Sequence, residues 1–180
     1  MGKSCLKLLM PSGKLISDDD ALKEKMESQD VSQILPYLYL GNARDASDLQ
    51  LLKSLDITHV LNVSSRRSEN EGCDGIIWKR FSVFDDADQD LTQYFDESFE
   101  FIEEAKEMGQ RVLVHCQAGV SRSPTIIIAY LMIRNGTRMT DAFAFVKNLR
   151  PIVCPNFSFM GQLMDLQMKL NAQKLSCTIR

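Results

Sequence analysis

The sequence predicts an α/β fold in which helices flank a central, mainly parallel β-sheet. Short apolar stretches of strand length alternate along the chain with segments of helical periodicity, and polar or glycine-containing turns separate them. Strands that alternate with helices in this way build parallel sheets covered by helices. With 180 residues, 44% of them hydrophobic, the chain is long enough for one domain with a sizeable core.

The first strands and helix of this pattern lie in the first half of the chain. The stretch ILPYLYLG, residues 34–41, is predicted to be a strand or an extended edge segment in which Pro36 limits the pairing. A short helix is expected to follow, with Asp45 as its N-cap. Three leucines after Asp45 are spaced to share one helical face, namely Leu49, Leu52 and Leu55. THVLNVS and IIWKRFSVF are predicted strands on either side of the polar loop SRRSENEGCDG.

The middle of the chain predicts a helix, a buried strand and a second helix. FDESFEFIEEAKEMG has the apolar periodicity of a helix that ends at Gly109, and RVLVH, residues 111–115, is short and apolar like a covered parallel strand. SRSPTIIIAYLMI is predicted to be a helix with Ser123 as its N-cap and Pro124 at its first position. Its three adjacent isoleucines would also suit a strand, but the Ser-Pro start favours the helix.

Two more helices are predicted before the C-terminus. Thr140 is expected to cap the helix DAFAFVKNL, and another helix is expected to begin at Asn156. The apolar residues of the last helix are spaced to share one face: Phe159, Leu163, Leu166 and Leu170.

Charge and cysteine content argue against several kinds of partner and cofactor. The chain carries 21 basic and 24 acidic residues, a net charge of −3, whereas surfaces that grip nucleic acid or anionic lipid are strongly basic. Its five cysteines form no CxxC pair, which argues against a disulfide framework and a zinc site. The longest apolar run is too short to span a membrane, and the N-terminus lacks a signal-peptide pattern. We therefore expect a cytoplasmic protein, or a nuclear one by diffusion, with no nucleic-acid or membrane partner.

A strand-to-helix loop, VHCQAGVSRSP (114–124), carries the strongest chemical signal in the sequence. Ligands of open α/β sheets bind beyond the carboxyl ends of the strands, and Cys116 falls at such an end. The loop is expected to turn at Gly119, so that backbone N–H groups face inward as an anion-binding nest, to which the next helix adds its positive end. Arg122 supplies a planar, two-pronged donor that suits phosphate oxygens. The predicted phosphate-binding residues are Gln117, Ala118, Gly119, Val120, Ser121 and Arg122.

Cys116 is predicted to be a nucleophile. N–H dipoles, a helix N-terminus and a guanidinium all favour the thiolate, and a thiolate beneath a bound phosphate can attack phosphorus in line. His115 is expected to hold the loop in shape through a hydrogen bond and not to act as the base. The plainer interpretation of a cysteine is a small buried apolar residue. That interpretation is kept for the other cysteines: Cys5, Cys73, Cys154 and Cys177.

The loop HCQAGVSRS is similar to the signature loop of the cysteine-dependent protein tyrosine phosphatases, and the flanking AYLM resembles their dual-specificity branch. The resemblance extends over residues 32–170, where LPYLYLGN, THVLNVS, the acidic loop ahead of LTQYF, and CPNFSFMGQL stand in the family's order. Within that branch, the chain resembles the catalytic domain of the mitogen-activated protein kinase phosphatases, or a small atypical relative.

This resemblance implies a protein tyrosine phosphatase-like fold with a shallow active site. It implies hydrolysis of phosphotyrosine and of phosphoserine or phosphothreonine on proteins through a cysteinyl-phosphate intermediate, with no metal and no cofactor. Phosphorylated proteins, among them mitogen-activated protein kinases, would be the partners. The predicted organisation is a short helical or mobile N-terminal extension (1–30), a catalytic domain (31–171) and a C-terminal tail (172–180).

The general acid of such an enzyme is expected in the loop FDDADQDL. In the family the acid lies at a fixed distance before the leucine that opens the next helix, and counting back from Leu91 gives Asp85, with Asp86 as the alternative. Calcium binding is a competing interpretation, because acids occupy EF-hand-like positions at Asp86, Asp88, Asp90 and Glu97. The position that needs glycine in such a loop holds Leu91, which argues against it.

Four other residues have both a functional and a structural interpretation. The family equivalent of Ser123 assists departure of the cysteine thiolate when the phosphoenzyme is hydrolysed, and the same residue can cap the helix. Arg150 matches a place where family members carry an arginine for a second substrate phosphate, or it is a solvated arginine at a helix end. Asn156 matches a position that braces the phosphate loop, or it is an N-cap. His59 lies on an apolar strand and is interpreted as a satisfied core histidine.

Neutral side chains in the loop favour phosphoproteins as substrates. Relatives that act on inositol lipids carry lysines where this chain has Ala118 and Val120. The segment KSCLKLL, residues 3–9, is either a kinase-docking motif or plain tail. Two alternative functions are a non-catalytic scaffold that binds kinases, against which the intact catalytic set argues, and a rhodanese-type sulfurtransferase, which the acidic loop fits poorly.

Overall fold

A computed structural model describes residues 31–72 and 75–178 of the chain. Five strands in the described ranges form one sheet in the order β1-β2-β5-β3-β4, and only β1 and β2 pair antiparallel. The strands are β1 (Ser32–Leu35), β2 (Leu38–Gly41), β3 (Ile57–Val63), β4 (Ile77–Phe81) and β5 (Arg111–His115). The predicted α/β class with a mainly parallel sheet is therefore confirmed.

Six helices and one 3₁₀ turn surround this sheet within the described ranges. The helices are α1 (Ala43–Ser47), α2 (Leu49–Ser54), α3 (Phe95–Glu107), α4 (Arg122–Arg134), α5 (Met139–Leu149) and α6 (Phe157–Thr178), and the 3₁₀ turn is Thr92–Tyr94. Gly109, with a φ of 67°, follows the end of α3 as predicted. The last helix continues past residue 171, where the catalytic domain was predicted to end. Nothing in the described part of the chain forms a helix both long and apolar enough to cross a membrane.

The first predicted strand is in fact a hairpin. The stretch 34–41 turns at Pro36 and Tyr37, so that β1 and β2 run antiparallel. The fixed φ of proline suits the second position of a tight turn, and proline has no N–H to give to a ladder. The prediction of one extended segment is therefore wrong at the proline.

Three predicted caps differ from the observed N-caps by two or three residues. Asn42 caps α1, with its side chain accepting from the N–H groups of Arg44 and Asp45. Asp45 lies inside that helix and completes a capping box by accepting from the Asn42 N–H at 2.7 Å. Asp48 caps α2, which the sequence had joined to α1. The Asp45 cap is therefore wrong.

Two later caps are also wrong. Helix α4 begins at Arg122, so Ser123 is its second residue and its hydroxyl is engaged elsewhere. Helix α5 begins at Met139, which puts Thr140 inside it. The start of α6 is confirmed, because the Asn156 side chain accepts from the N–H of Phe159 at 2.9 Å.

Apolar cores lie on both faces of the sheet. Along β5, Val112 and Val114 belong to a large core beneath α3 to α6, whereas Leu113 packs with the residues of α1 and α2. Helix α4 is buried from its first residue through Met132, which explains the run of three isoleucines. The central strand β5 thus leads directly into α4, which is buried along most of its length.

Candidate active site

The loop between β5 and α4 has all its carbonyl groups tied to its outer side. Every carbonyl from Cys116 to Ser121 accepts a hydrogen bond. The Ala43 N–H donates to Gln117 at 3.2 Å, the Cys154 N–H donates to Val120 at 2.8 Å, and Thr125 donates to Ser121 through its N–H and its hydroxyl.

This arrangement directs the N–H groups to the inner side of the loop. In a planar peptide unit the N–H points opposite to the carbonyl, so the tied carbonyls aim the N–H groups of residues 117–122 at the concave side, above Cys116. Successive inward N–H groups form an anion-binding nest, and the first turn of α4 adds its dipole there. The geometry agrees with the phosphate loop predicted from the sequence.

Gly119 is required at the turn of the loop. Its φ of 67° lies in the left-handed region that favours glycine. A Cβ at this position would lie 2.5 Å from the carbonyl oxygen of Gly41 and 2.8 Å from Nη2 of Arg150. The loop can therefore pack against the end of β2 only without a side chain here.

Cys116 lies at the base of the nest and is only 1% exposed. The buried hydroxyl of Ser123 donates a hydrogen bond to its sulfur at 3.2 Å. A hydroxyl in this position stabilises negative charge on sulfur, because it donates to the atom that carries the charge. This contact replaces the capping bond predicted for Ser123.

Arg122 presents an unused donor to the same space. The residue is 9% exposed, and its Nη1 donates to the carbonyl of Val83 at 3.0 Å. Its Nε has no hydrogen bond within the described residues and lies 3.4 Å from Oδ2 of Asp85. A buried guanidinium with a donor left over is suited to an anionic ligand.

Asp85 reaches the rim of the loop, whereas Asp86 does not. The Oδ1 atom of Asp85 accepts from the Ser121 hydroxyl at 2.8 Å and from Nδ2 of Asn156 at 2.9 Å. The carboxylate of Asp86 accepts instead from the N–H of Asp88, within its own exposed loop. Position therefore favours Asp85 of the two predicted candidates.

Asn156 makes the contacts that both of its interpretations require. It caps α6 and also links that helix to the loops, because its N–H donates to the Ser121 hydroxyl at 3.2 Å while its side chain holds Asp85. The acidic loop and the phosphate loop are thus joined through one side chain.

Arg150 lies behind the phosphate loop and is fully buried. Its Nε donates to the carbonyl of Gly119 at 3.0 Å, and its Nη2 lies 3.5 Å from that of Ala118. Burial lowers the pKa of the guanidinium, and the negative charges of Asp45 and Cys116 oppose that shift. Both predictions for Arg150, a second phosphate ligand and a solvated arginine, are therefore wrong: it braces the loop.

His115 also acts from behind the loop. Its Nδ1 lies 3.2 Å from the carbonyl oxygen of Cys116, which can only accept, so Nδ1 carries the proton. Burial lowers the pKa of His115 to about 4, although that hydrogen bond and the charge of Glu71 oppose the shift. A neutral imidazole that holds a loop carbonyl agrees with the structural role predicted for this residue.

The remaining predictions have mixed outcomes. Cys154 is exposed, so its interpretation as a buried apolar residue is wrong. His59 is buried, with Nδ1 2.9 Å from the Thr58 hydroxyl, but its Nε2 has no partner within the described residues and it is only half satisfied. Leu91 is fully buried in the acidic loop. Across residues 31–72 and 75–178 no group of three or more His, Cys, Asp or Glu is placed to hold a metal ion.

Some predictions concern parts of the chain that the structure leaves out. The N-terminal segment 1–30 with KSCLKLL, Cys5, Cys73 and the side chain of Cys177 lie outside the described residues.

One positioning residue has no signal in the sequence. Gln162 of α6 donates from Nε2 to the carbonyl of Gln89 at 2.8 Å, and its Oε1 accepts from the Leu91 N–H at 2.9 Å. These bonds clamp the acidic loop to α6, far away in the chain. A glutamine on a half-buried helix face cannot be distinguished by pattern from any other surface residue.

The fold and this site define an α/β domain in which a loop suited to bind an anion lies above a buried cysteine. A family model described as "Dual specificity phosphatase, catalytic domain" matches residues 38–169. The chain belongs to the dual specificity phosphatase family.

Individual relatives agree with this assignment. The chain is 43% identical over 160 residues to dual specificity protein phosphatase 2 of Mus musculus, which covers 88% of this chain and 50% of the relative. It is 44% identical to dual specificity protein phosphatase 5 of Homo sapiens, over 81% of this chain and 39% of the relative. The chain thus spans about half, or less, of the length of these curated relatives.

Solved structures match over nearly their whole length. Human DUSP28 has a TM-score of 0.74 and 33% identity, covering 79% of this chain and 96% of that one. A mouse putative dual specificity phosphatase, solved in complex with zinc tungstate, has a TM-score of 0.74 and 36% identity, covering 80% and 90% respectively.

Proposed function

We propose that this domain is a protein phosphatase that hydrolyses phosphotyrosine and phosphoserine or phosphothreonine through a cysteinyl-phosphate intermediate. The observation that carries the proposal is the loop above Cys116, whose carbonyls are all bound on the outside. Family membership supports the same reaction class.

In the first step the Cys116 thiolate attacks phosphorus. An S–P bond forms, the P–O bond to the substrate side chain breaks, and Asp85 gives its proton to the departing oxygen. Arg122 and the inward N–H groups hold the other phosphate oxygens, where charge develops. The Ser123 hydroxyl already contacts the attacking sulfur.

In the second step water attacks the same phosphorus. Asp85, now ionised, takes a proton from the water, the new P–O bond forms, and the S–P bond breaks to return the thiolate. Ser123 donates to the leaving sulfur and stabilises the charge that returns to it. The proposed cycle uses no metal and no cofactor.

The nucleophile assignment is tested by Cys116→Ser. We expect this variant to lose all turnover of an aryl phosphate while it still binds phosphate or a phosphopeptide, because the N–H groups of the loop remain. Hydrolysis of the aryl phosphate by this variant at the wild-type rate would refute the assignment.

The acid assignment is tested by a matched pair of neighbours. Loss of a general acid costs roughly 10²- to 10⁴-fold, so Asp85→Ala should depress kcat by that amount with a poor leaving group. Asp86→Ala is the control and should stay close to wild type, because its carboxylate points into its own loop. The reverse ranking would move the acid to Asp86.

Mitogen-activated protein kinases are the substrates that we propose, in the cytoplasm or the nucleus. The support is the sequence resemblance to phosphatases of these kinases, together with the neutral side chains of Ala118 and Val120 beside the phosphate site. A panel of doubly phosphorylated activation-loop peptides, with scoring of which phosphate leaves first, tests this proposal. Equal rates on unrelated phosphopeptides would argue against kinases, and imaging of the tagged chain in cells tests the location.

A further inference from the structure

Two exposed phenylalanines directly flank site residues in the chain, Phe84 beside the proposed acid Asp85 and Phe157 beside Asn156. Phe84 is 58% exposed and Phe157 is 96% exposed, whereas five other phenylalanines of the domain are buried. Those buried residues are Phe81, Phe95, Phe99, Phe101 and Phe159. An aromatic ring that is almost entirely in water gains nothing for the fold, because its apolar area is not removed from solvent.

Phe84 and Phe157 are sequence neighbours of residues that contact the phosphate loop. Phe84 directly precedes Asp85, and Phe157 directly follows Asn156. The Asp85 carboxylate accepts from Nδ2 of Asn156 at 2.9 Å and from the Ser121 hydroxyl at 2.8 Å, and the backbone N–H of Asn156 donates to the same hydroxyl in the phosphate loop. The two aromatic residues therefore belong to segments that meet at the active site.

The backbone that carries these rings is fixed. The Phe84 N–H donates to Oε1 of Gln89 at 3.1 Å, and Gln162 of α6 clamps the carbonyl of Gln89 in turn. Phe157 is the first residue of α6, whose start is capped by Asn156. The rings are thus presented from an organised surface, which lowers the entropy cost of binding.

We propose that Phe84 and Phe157 form an apolar subsite for the side chain immediately beside the phosphorylated residue of a protein substrate. This inference rests on the proposed function and adds a substrate preference to it. Neighbouring residues of a peptide lie 3.8 Å apart along the chain, so a phosphate held above Cys116 brings the adjacent residue to the rim. An aliphatic or aromatic side chain there removes apolar area from water on both partners.

A substrate bound at the neighbouring phosphate loop is the partner that we expect to cover Phe84 and Phe157. A substrate whose phosphate is bound in the loop can cover both rings without a further loss of translational and rotational freedom, which a separate partner would have to offset. A second copy of this chain is the other occupant to test. The acidic loop that begins at Asp85 disfavours acidic residues beside the phosphorylated residue, independently of the two phenylalanines. The two peptides that are compared must therefore both carry an uncharged residue at that position.

The test compares two phosphotyrosine peptides that differ only in the residue beside the phosphotyrosine. Leucine and asparagine are similar in shape and both uncharged, so a difference between them reports the apolar contact. We expect the wild-type enzyme to prefer the leucine peptide by roughly tenfold in kcat/KM, as a hydrophobic pocket does for a small apolar group. A second pair of peptides, with leucine or asparagine on the opposite side of the phosphotyrosine, shows which of the two neighbouring residues contacts the subsite.

The variants Phe84→Ser and Phe157→Ser should each reduce that preference, and the double variant should abolish it. The ratio between peptides is measured on one enzyme at a time, so any change in turnover cancels. Phe145→Ser is the matched control, since Phe145 is also exposed but lies on α5. It should keep the wild-type ratio, and Phe157→Leu should keep most of it.

Equal rates of the wild-type enzyme on both peptides, on either side of the phosphotyrosine, would overturn the subsite and leave the proposed function intact. A preference that survives in the double variant, or that is lost equally in Phe145→Ser, would overturn it too. Failure of the wild-type enzyme on every phosphopeptide and on an aryl phosphate would overturn the proposed function instead. Sedimentation of a wild-type dimer that the double variant converts to monomers would assign the rings to a second copy and overturn the substrate assignment.

Discussion

Replacement of Ser123 by alanine should slow one step of the reaction and not the other. The hydroxyl donates to the sulfur of Cys116 at 3.2 Å, and both residues are buried. A hydrogen bond to a charged partner contributes about 1.5–3 kcal/mol, which corresponds to a factor of roughly 10 to 150 in rate. The sulfur regains its charge when the S–P bond breaks, so this loss falls on hydrolysis of the phosphoenzyme.

The first step should be spared in Ser123→Ala. There the thiolate is the attacking group and gives up its charge, so a donor to sulfur stabilises the starting state and its removal does not hinder attack. Rapid mixing with a chromogenic aryl phosphate should show a burst of leaving group close to one per enzyme, followed by a steady rate lowered by the factor above. Wild-type enzyme should show a smaller burst.

A buried serine without a hydrogen bond provides the control. Ser98 is fully buried in α3, and its hydroxyl has no partner within the described residues. Ser98→Ala removes the same atom from a buried site and should keep wild-type kinetics. The reasoning on Ser123 would be refuted if its alanine variant lost the burst and the steady rate in equal measure, or if it turned over like wild type.

Two further predictions concern the residues behind the loop. Arg150→Met should lower Tm and should lower kcat/KM for a singly phosphorylated substrate by at least about tenfold. The reason is that each buried carbonyl that loses its donor costs about 1–3 kcal/mol. A defect seen only with doubly phosphorylated peptides would restore the second-phosphate role. Burial lowers the pKa of His115 to about 4 in the folded chain, against an ordinary value of 6.5. As the pH falls, the unfolded chain therefore takes up the proton first. The shift contributes roughly 3 kcal/mol to the free energy of unfolding above pH 6.5, and this contribution is lost between pH 6.5 and pH 4. His115→Asn should remove that part of the pH dependence in urea unfolding between pH 7 and about pH 4.5, and an unchanged dependence would contradict the shift.

The chemistry of the site could be predicted because it is local in sequence. Cys116, the turn at Gly119, and Arg122 belong to one continuous strand, loop and helix start, and each residue type has a physical reason to stand where it does. The proposed acid was also within reach, since the family spacing gives Asp85, whose carboxylate accepts from the Ser121 hydroxyl in the structure. At the helix starts the predicted caps were wrong by two or three residues, because several polar residues there compete to cap.

The supports of the site could not be predicted, because they depend on tertiary contacts. Arg150 at the end of α5 has the sequence environment of an exposed residue, and only packing places its guanidinium beneath Gly119. Gln162 holds the acidic loop across a wide sequence separation for the same reason. Cys154 is exposed although its backbone N–H donates to the carbonyl of Val120, and the residue type alone does not reveal such a placement.

The central claim is that the phosphoryl group passes through the sulfur of Cys116. The most direct measurement is acid quenching of Ser123→Ala during turnover of an aryl phosphate, followed by mass analysis of the intact chain and of its peptides. The account predicts a gain of one phosphoryl group, located on Cys116. Turnover without any such adduct, or an adduct on another residue such as the exposed Cys154, would contradict it.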